Sequence, residues 1–251
     1  MGASGQADLV MIKGILFDKD GTLLEFHSTQ HSIYAALLAC LKDDYRVPDP
    51  LMQQLSEALG HLPDRLTPDS LIQFSTNQQI AQALFDTCRS YADERGWQRP
   101  FDANDLLELI EQFSLGDDVP YVALPNVLET LRYLRKKDYR LGVATVDTRT
   151  ATVAGLKKTG ILEYFDYLGA GEDSRPKPDT SLADRFCSQC GILPHELLIV
   201  GDGKNDMLFA QNVGAHFIGI DTAGEGTPSV FRETGQRSVA DIREIIDVLD
   251  L

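Results

Sequence analysis

Three features predict an α/β protein, a doubly wound parallel sheet with an inserted all-helical domain. Strands alternate with helices from Pro125 to the C-terminus. An apolar run near the N-terminus ends abruptly in paired carboxylates. Between them lie roughly 90 residues whose apolar positions recur at helical spacing with no convincing strand.

The N-terminal run, Met11 to Phe17 with one lysine, reads as a buried strand of a parallel sheet. Ile33, Leu37 and Leu41 then recur at i, i+4, i+8 and mark a helix over Thr29 to Leu41. Leu51, Leu55 and Leu59 mark a second, stopped by Gly60, and Ser70 to Phe74 is short and ambiguous. Asn77 to Arg95 carries Ile80, Leu84, Cys88 and Tyr91 on one face, with Gly96 just beyond its end. Asn104 to Phe113 offers Leu106, Ile110 and Phe113. The acidic, proline-bearing stretch from Gly116 to Pro125 reads as a return linker. A helical block after the first strand is most simply a separate domain, which sets a core of 9–26 and 118–251 and a helical domain of 27–117. Within the core, strands are expected at Arg140 to Thr145, Phe165 to Gly169, Leu197 to Val200 and His216 to Ile220. Helices are expected at Asn126 to Lys137, Thr148 to Thr159, Asp179 to Cys190, Asp206 to Asn212 and Val239 to Leu249.

At 251 residues with 43% hydrophobic and 24% charged composition, the chain can bury a full core. Its formal net charge of −15 argues against nucleic acid, whose phosphates need clustered lysine and arginine. No stretch approaches the roughly 18 apolar residues of a spanning helix, and Met1 to Ala7 reads as a frayed leader without a secretory core. A cytoplasmic location without membrane contact, as monomer or homodimer, is the expectation. Cys187 and Cys190 have the spacing of a zinc half-site, but no second half-site exists, so they read as buried thiols on one helix face.

Four strand or loop ends carry polar residues that can converge. The first is Asp18-Lys19-Asp20-Gly21-Thr22, two carboxylates at i, i+2 after an apolar strand. The second is Thr145, followed by Val146, at the end of Gly142-Val143-Ala144. The third is Lys177, stiffened between Pro176 and Pro178. The fourth is Gly201-Asp202-Gly203-Lys204-Asn205-Asp206, acids four apart after a strand, without the glycine of a calcium loop. Ligands in open α/β sheets bind beyond the carboxyl ends of strands, where these groups emerge.

In order and placement these segments resemble the motifs of the haloacid dehalogenase (HAD) superfamily: Asp-x-Asp-Gly-Thr, then Thr or Ser, then Lys-Pro, then Gly-Asp-x-x-x-Asp. The resemblance implies a HAD-like Rossmannoid core and phosphoryl transfer. Asp18 is then a carboxylate nucleophile forming an aspartyl-phosphate, and Asp20 the acid and base that serves leaving group and water. It implies Mg²⁺ as cofactor, with Asp18, Asp202 and the backbone carbonyl of Asp20 as ligands and Asp206 in support. Thr145 and Lys177 would hold phosphoryl oxygens, with backbone N–H groups near Gly21 and Val146 as further donors.

An aspartate at position 20 resembles phosphatases and phosphomutases rather than dehalogenases, which have an aromatic residue there. The helical insert looks like a C1-type cap, and the whole is most similar to the phosphoglycolate phosphatase-like branch. Val146 and Gly203 depart from the family's frequent Asn or Ser and Ser or Thr. The expected function is Mg²⁺-dependent hydrolysis of a small phosphorylated metabolite. The alternatives are a β-phosphoglucomutase-like phosphomutase and, in another class, a phosphate- or partner-binding protein without turnover. Lys19 reads as solvent-facing or structural, His27 and His31 as surface residues near the exit to the insert with a substrate in reach, and Arg65, Arg89 and Arg95 as candidate anion contacts of the cap.

Overall fold

The computed structural model describes residues 12–67, 70–98, 100–173, 175–222 and 229–250. The leader and Met11, the first residue of the expected first strand, lie outside these. The chain divides into two compact units, one of residues up to Glu25 together with Val122 onward, the other Phe26–Tyr121. No helix among the described residues is long and apolar enough to cross a membrane.

The first unit is built on six strands: β1 (Gly14–Phe17), β2 (Arg140–Ala144), β3 (Tyr167–Gly169), β4 (Leu197–Gly201), β5 (His216–Ile220) and β6 (Ser238–Val239). They pair in the order β3-β2-β1-β4-β5-β6, every pair parallel. All four residues of β1 and all five of β4 are buried, as strands covered on both faces must be. Phe17 lies level with Val143 on one side and Val200 on the other, so β1, β2 and β4 end together. The order reverses at β1, between β2 and β4, and that reversal is where an open α/β sheet opens a crevice.

The connecting helices carry one apolar face each. Leu182, Ala183, Phe186 and Cys187 of the helix Ser181–Cys190 are buried against the sheet. A Cβ at Gly142 would lie 2.9 Å from the Phe186 ring, so glycine in β2 lets that helix settle closely. One expected element differs. Val239 to Leu249 is not a single helix: Val239 belongs to β6, and only Glu244–Leu249 is helical. The edge of β5 explains this, because the Asp221 N–H donates to the Val239 carbonyl at 2.8 Å and the Gly219 N–H to that of Arg237 at 3.0 Å. The short helix Val230–Thr234 was also not expected.

Among the described residues the second unit holds five helices: α1 (His27–Asp43), α2 (Asp49–Leu59), α3 (Leu71–Phe74), α4 (Asn77–Arg95) and α5 (Ala103–Ser114). The stripes expected from the sequence are its core: Ile33, Leu37, Leu41, Leu51, Leu55, Leu59, Leu84, Leu106 and Ile110 are all buried in one cluster. Thr76 and Gln79 form a reciprocal capping box at the start of α4, and Gly96 ends it in the left-handed conformation.

Candidate active site

Asp18 follows β1 directly, its N–H donating to the Val200 carbonyl at 2.8 Å, which ties the first acid to the strand that delivers Asp202 and Asp206. Carboxylate oxygens of Asp18, Asp202 and Asp206 all lie within 4.8 Å of one another. Lys177 sits among them, with its Nζ donating to Asp18 Oδ1 and Asp206 Oδ1 at 2.5 Å each. Lys177 and Asp206 are buried, whereas Asp202 remains open to solvent.

The crowding shows in the ionisation of these groups. Burial pushes the Asp18 carboxyl up to about 7 against the pull of Lys177, and Asp206 and Asp20 add to the rise. Asp202, packed round by protein atoms on its inner side and facing the Asp18 and Asp206 charges, is also raised well above its ordinary value. Burial opposes the charge of Lys177, but Asp18 and Asp206 outweigh it and hold the ammonium above its usual range. Three carboxyl groups crowd here with one ammonium among them, so full ionisation of all three is opposed in the absence of a further cation.

Two glycines make this convergence sterically possible. Gly21 has φ +79°, and a Cβ there would lie 2.0 Å from Asp202 Oδ2. A Cβ at Gly201 would lie 2.3 Å from Asp206 Cγ. The Gly21 N–H donates to the Leu24 carbonyl at 2.8 Å, so what Gly21 contributes is space rather than a donor.

At the end of β2, Thr145 is buried, and its Oγ1 accepts from the Asp147 N–H at 3.1 Å. Val146 is exposed, and among the described residues its N–H has no acceptor. Asp147 is the residue that the motif search overlooked. Lys19, fully buried, donates from its Nζ to Asp147 Oδ2 at 2.6 Å and reaches Asp20 Oδ2 at 2.9 Å. Alternation along an extended strand would send Lys19 away from its neighbours, but the chain turns there. The Lys19 carbonyl accepts from the Leu23 and Leu24 N–H groups, and the side chain swings toward β2. A buried lysine requires an acid partner, and Asp147, two residues after Thr145, was the available signal. Burial raises the Asp20 carboxyl, Lys19 opposes the rise and Asp147 adds to it. Asp20 Oδ1 is buried with no hydrogen-bond partner among the described residues.

The remaining candidates have local roles. His31 stacks on His61 at 4.4 Å between ring centroids, and its Nε2 is 2.9 Å from the Leu62 carbonyl. His27 packs edge-on against Phe26. Arg65 pairs with Asp64 and Arg89 with Asp86, all of them in the helical unit. Cys187 and Cys190 are free thiols, Cys187 pushed up to about 11 by burial and inert as a nucleophile.

The chain and its fold have known counterparts. Residues 12–214 match the family model of haloacid dehalogenase-like hydrolases. A phosphoglycolate phosphatase of Vibrio vulnificus is 30% identical over 212 residues, covering 83% of each chain. Pyrophosphatase PpaX of Bacillus pumilus is 26% identical over 223 residues, covering 88% of each. Among solved structures, that of a predicted phosphoglycolate phosphatase from Haemophilus somnus superposes with a TM-score of 0.68 at 20% identity, covering 95% of this chain and 98% of the other. The chain belongs to the haloacid dehalogenase-like hydrolases, in their phosphoglycolate phosphatase-like branch.

Proposed function

We propose that this phosphatase hydrolyses small phosphomonoesters in a Mg²⁺-dependent reaction that passes through an aspartyl-phosphate on Asp18. The supporting observation is the clustering of Asp18, Asp202 and Asp206 within 4.8 Å of one another at the sheet's reversal point, with buried Lys177 joining Asp18 and Asp206. The donor set suits a hard divalent ion, which takes oxygen ligands and offsets excess carboxylate charge. Asp18, Asp202 and the Asp20 backbone carbonyl would hold it, with Asp206 in support. When bound, it supplies Lewis-acid charge between the nucleophilic carboxylate and the phosphate.

The chain's own residues do the rest. Lys177 holds Asp18 Oδ1, which leaves Oδ2 to meet phosphorus. As the Asp18 oxygen bonds to phosphorus, the ester P–O bond breaks and its electron pair goes to the leaving oxygen. That oxygen takes a proton from Asp20. Water then attacks the phosphorus, Asp20 takes back a proton, and the Asp18 carboxylate is restored. Lys177 and the Val146 N–H stabilise the transferring phosphoryl oxygens, and Thr145 shapes the loop that presents them.

The substrate class is a small phosphomonoester, phosphoglycolate first. The likeness to a pyrophosphatase makes inorganic pyrophosphate the second candidate. Phosphate release from a panel of phosphoglycolate, sugar phosphates, nucleotides and pyrophosphate tests the proposal. Turnover of a monoester that stops with EDTA and returns with Mg²⁺ is expected. Phosphate release indifferent to chelation would overturn the metal assignment, and no release from any member would overturn the reaction. Glucose 1-phosphate converted to an isomer would replace hydrolysis by phosphomutase activity.

A further inference from the structure

The proposed reaction asks Asp20 to present one oxygen to the leaving group, yet a carboxylate on a loop can rotate. The structure holds it from one side. Lys19 Nζ reaches Asp20 Oδ2 at 2.9 Å, while Oδ1 is turned into the protein and has no partner among the described residues. Lys19 is itself fixed by Asp147 Oδ2 at 2.6 Å, the closer of its two acids. Asp147 in turn has little freedom. Its N–H is held by Thr145 Oγ1 at 3.1 Å, its Oδ1 accepts from the Thr148 N–H at 2.8 Å, and its carbonyl accepts from the Gly171 N–H at 2.7 Å. The approach at Gly171 is so close that a Cβ there would lie 2.3 Å from the Val146 carbonyl oxygen. The chain of contacts therefore runs from the backbone of the β2 loop, through Asp147 and Lys19, to one oxygen of Asp20.

We propose that Asp147, acting through Lys19, is a positioning residue for Asp20: by holding Oδ2 it sets the orientation in which the carboxyl group meets the leaving group. This rests on the acid–base role given to Asp20 above. It separates Lys19 from its neighbours in the motif: Asp18 works on phosphorus, whereas Lys19 works on a neighbouring side chain. A buried ion pair is weak grounds for a stabilising role, because an apolar or neutral replacement of both partners often costs nothing. An orienting role is different, since it requires the charge-assisted bonds themselves.

The test uses leaving groups of different need. An aryl ester such as p-nitrophenyl phosphate departs without a proton, whereas an alkyl ester such as phosphoglycolate requires one. The variants are Asp147→Asn, which keeps the bond to the Thr148 N–H, and the double variant Lys19→Met/Asp147→Asn, which removes both charges. For both, kcat/KM on the alkyl ester should fall on the order of 10- to 100-fold, and on the aryl ester within about threefold. Asp147→Glu should recover part of the alkyl activity. The double variant decides between positioning and mere structure, because its melting temperature should match or exceed that of the wild type. Equal losses on both esters, or a stable double variant with wild-type alkyl activity, would overturn the inference. Failure of the wild-type protein to release phosphate from either ester would overturn the phosphatase reading instead.

Discussion

A methyl group at position 21 would have no room. It would sit 2.0 Å from Asp202 Oδ2 and would have to adopt a φ of +79°, a conformation that L-residues with side chains avoid. Gly21→Ala is therefore expected to push Asp202 out of the cluster. Unfolding free energy should fall by about 1–3 kcal/mol, and more Mg²⁺ should be needed for half-maximal turnover. Denaturant melts and a metal titration of activity check the two effects; a variant with an unchanged metal requirement would detach Gly21 from the site. The same contact shows what a motif conceals. The glycine after the second aspartate was legible in the sequence, and donation of its N–H to phosphate was the expected role. The structure commits that N–H to Leu24 and gives the glycine a steric role. Asp147 went unread for a related reason. Its significance depends on Lys19 folding back from β1 to β2, and no pattern along one strand encodes that meeting.

At the scale of elements, legibility followed the punctuation. Helix α4 spans the residues expected from the sequence, Asn77–Arg95, because Thr76 and Gln79 close a capping box at one end and Gly96 takes the left-handed stop at the other. Thr76→Ala should lower the stability of the helical unit by about 1 kcal/mol, measured by denaturant unfolding. In contrast, β6 has two residues, and its existence depends on the free edge of β5 rather than on its own composition. That dependence is why Val239 was read as helix. His61, stacked on His31, gives the helical unit a pH dependence. Burial lowers the His61 pKa from 6.5; the hydrogen bond to the His31 carbonyl opposes this, and the charge of a protonated His31 ring adds to it. Its stabilising share is complete above the unfolded value of 6.5. It is lost progressively as pH falls from that value through the lower folded one, because the unfolded chain takes up a proton that the folded imidazole resists. Melting temperature should drop on that side, and His61→Gln should flatten the drop. A profile unchanged by the substitution would assign the dependence to other groups.

For the whole molecule, the sequence carried the α/β class and the helical insert clearly, because both rest on period: long apolar stripes in one region, alternating strands and helices in the other. What gives the molecule its chemistry is the strand order. Placing β1 between β2 and β4 brings residues about 180 positions apart to one crevice, and the charge of −15 becomes locally useful there as a cluster of acids. The central claim is that Asp18 attacks phosphorus. The direct measurement is to quench the enzyme during turnover with a phosphomonoester and Mg²⁺, reduce acyl-phosphate with borohydride, and map the peptides by mass spectrometry. The account predicts homoserine at position 18 alone, absent from Asp18→Asn and from enzyme quenched without substrate. Turnover with position 18 unmodified under these conditions, or homoserine at another aspartate, would contradict it.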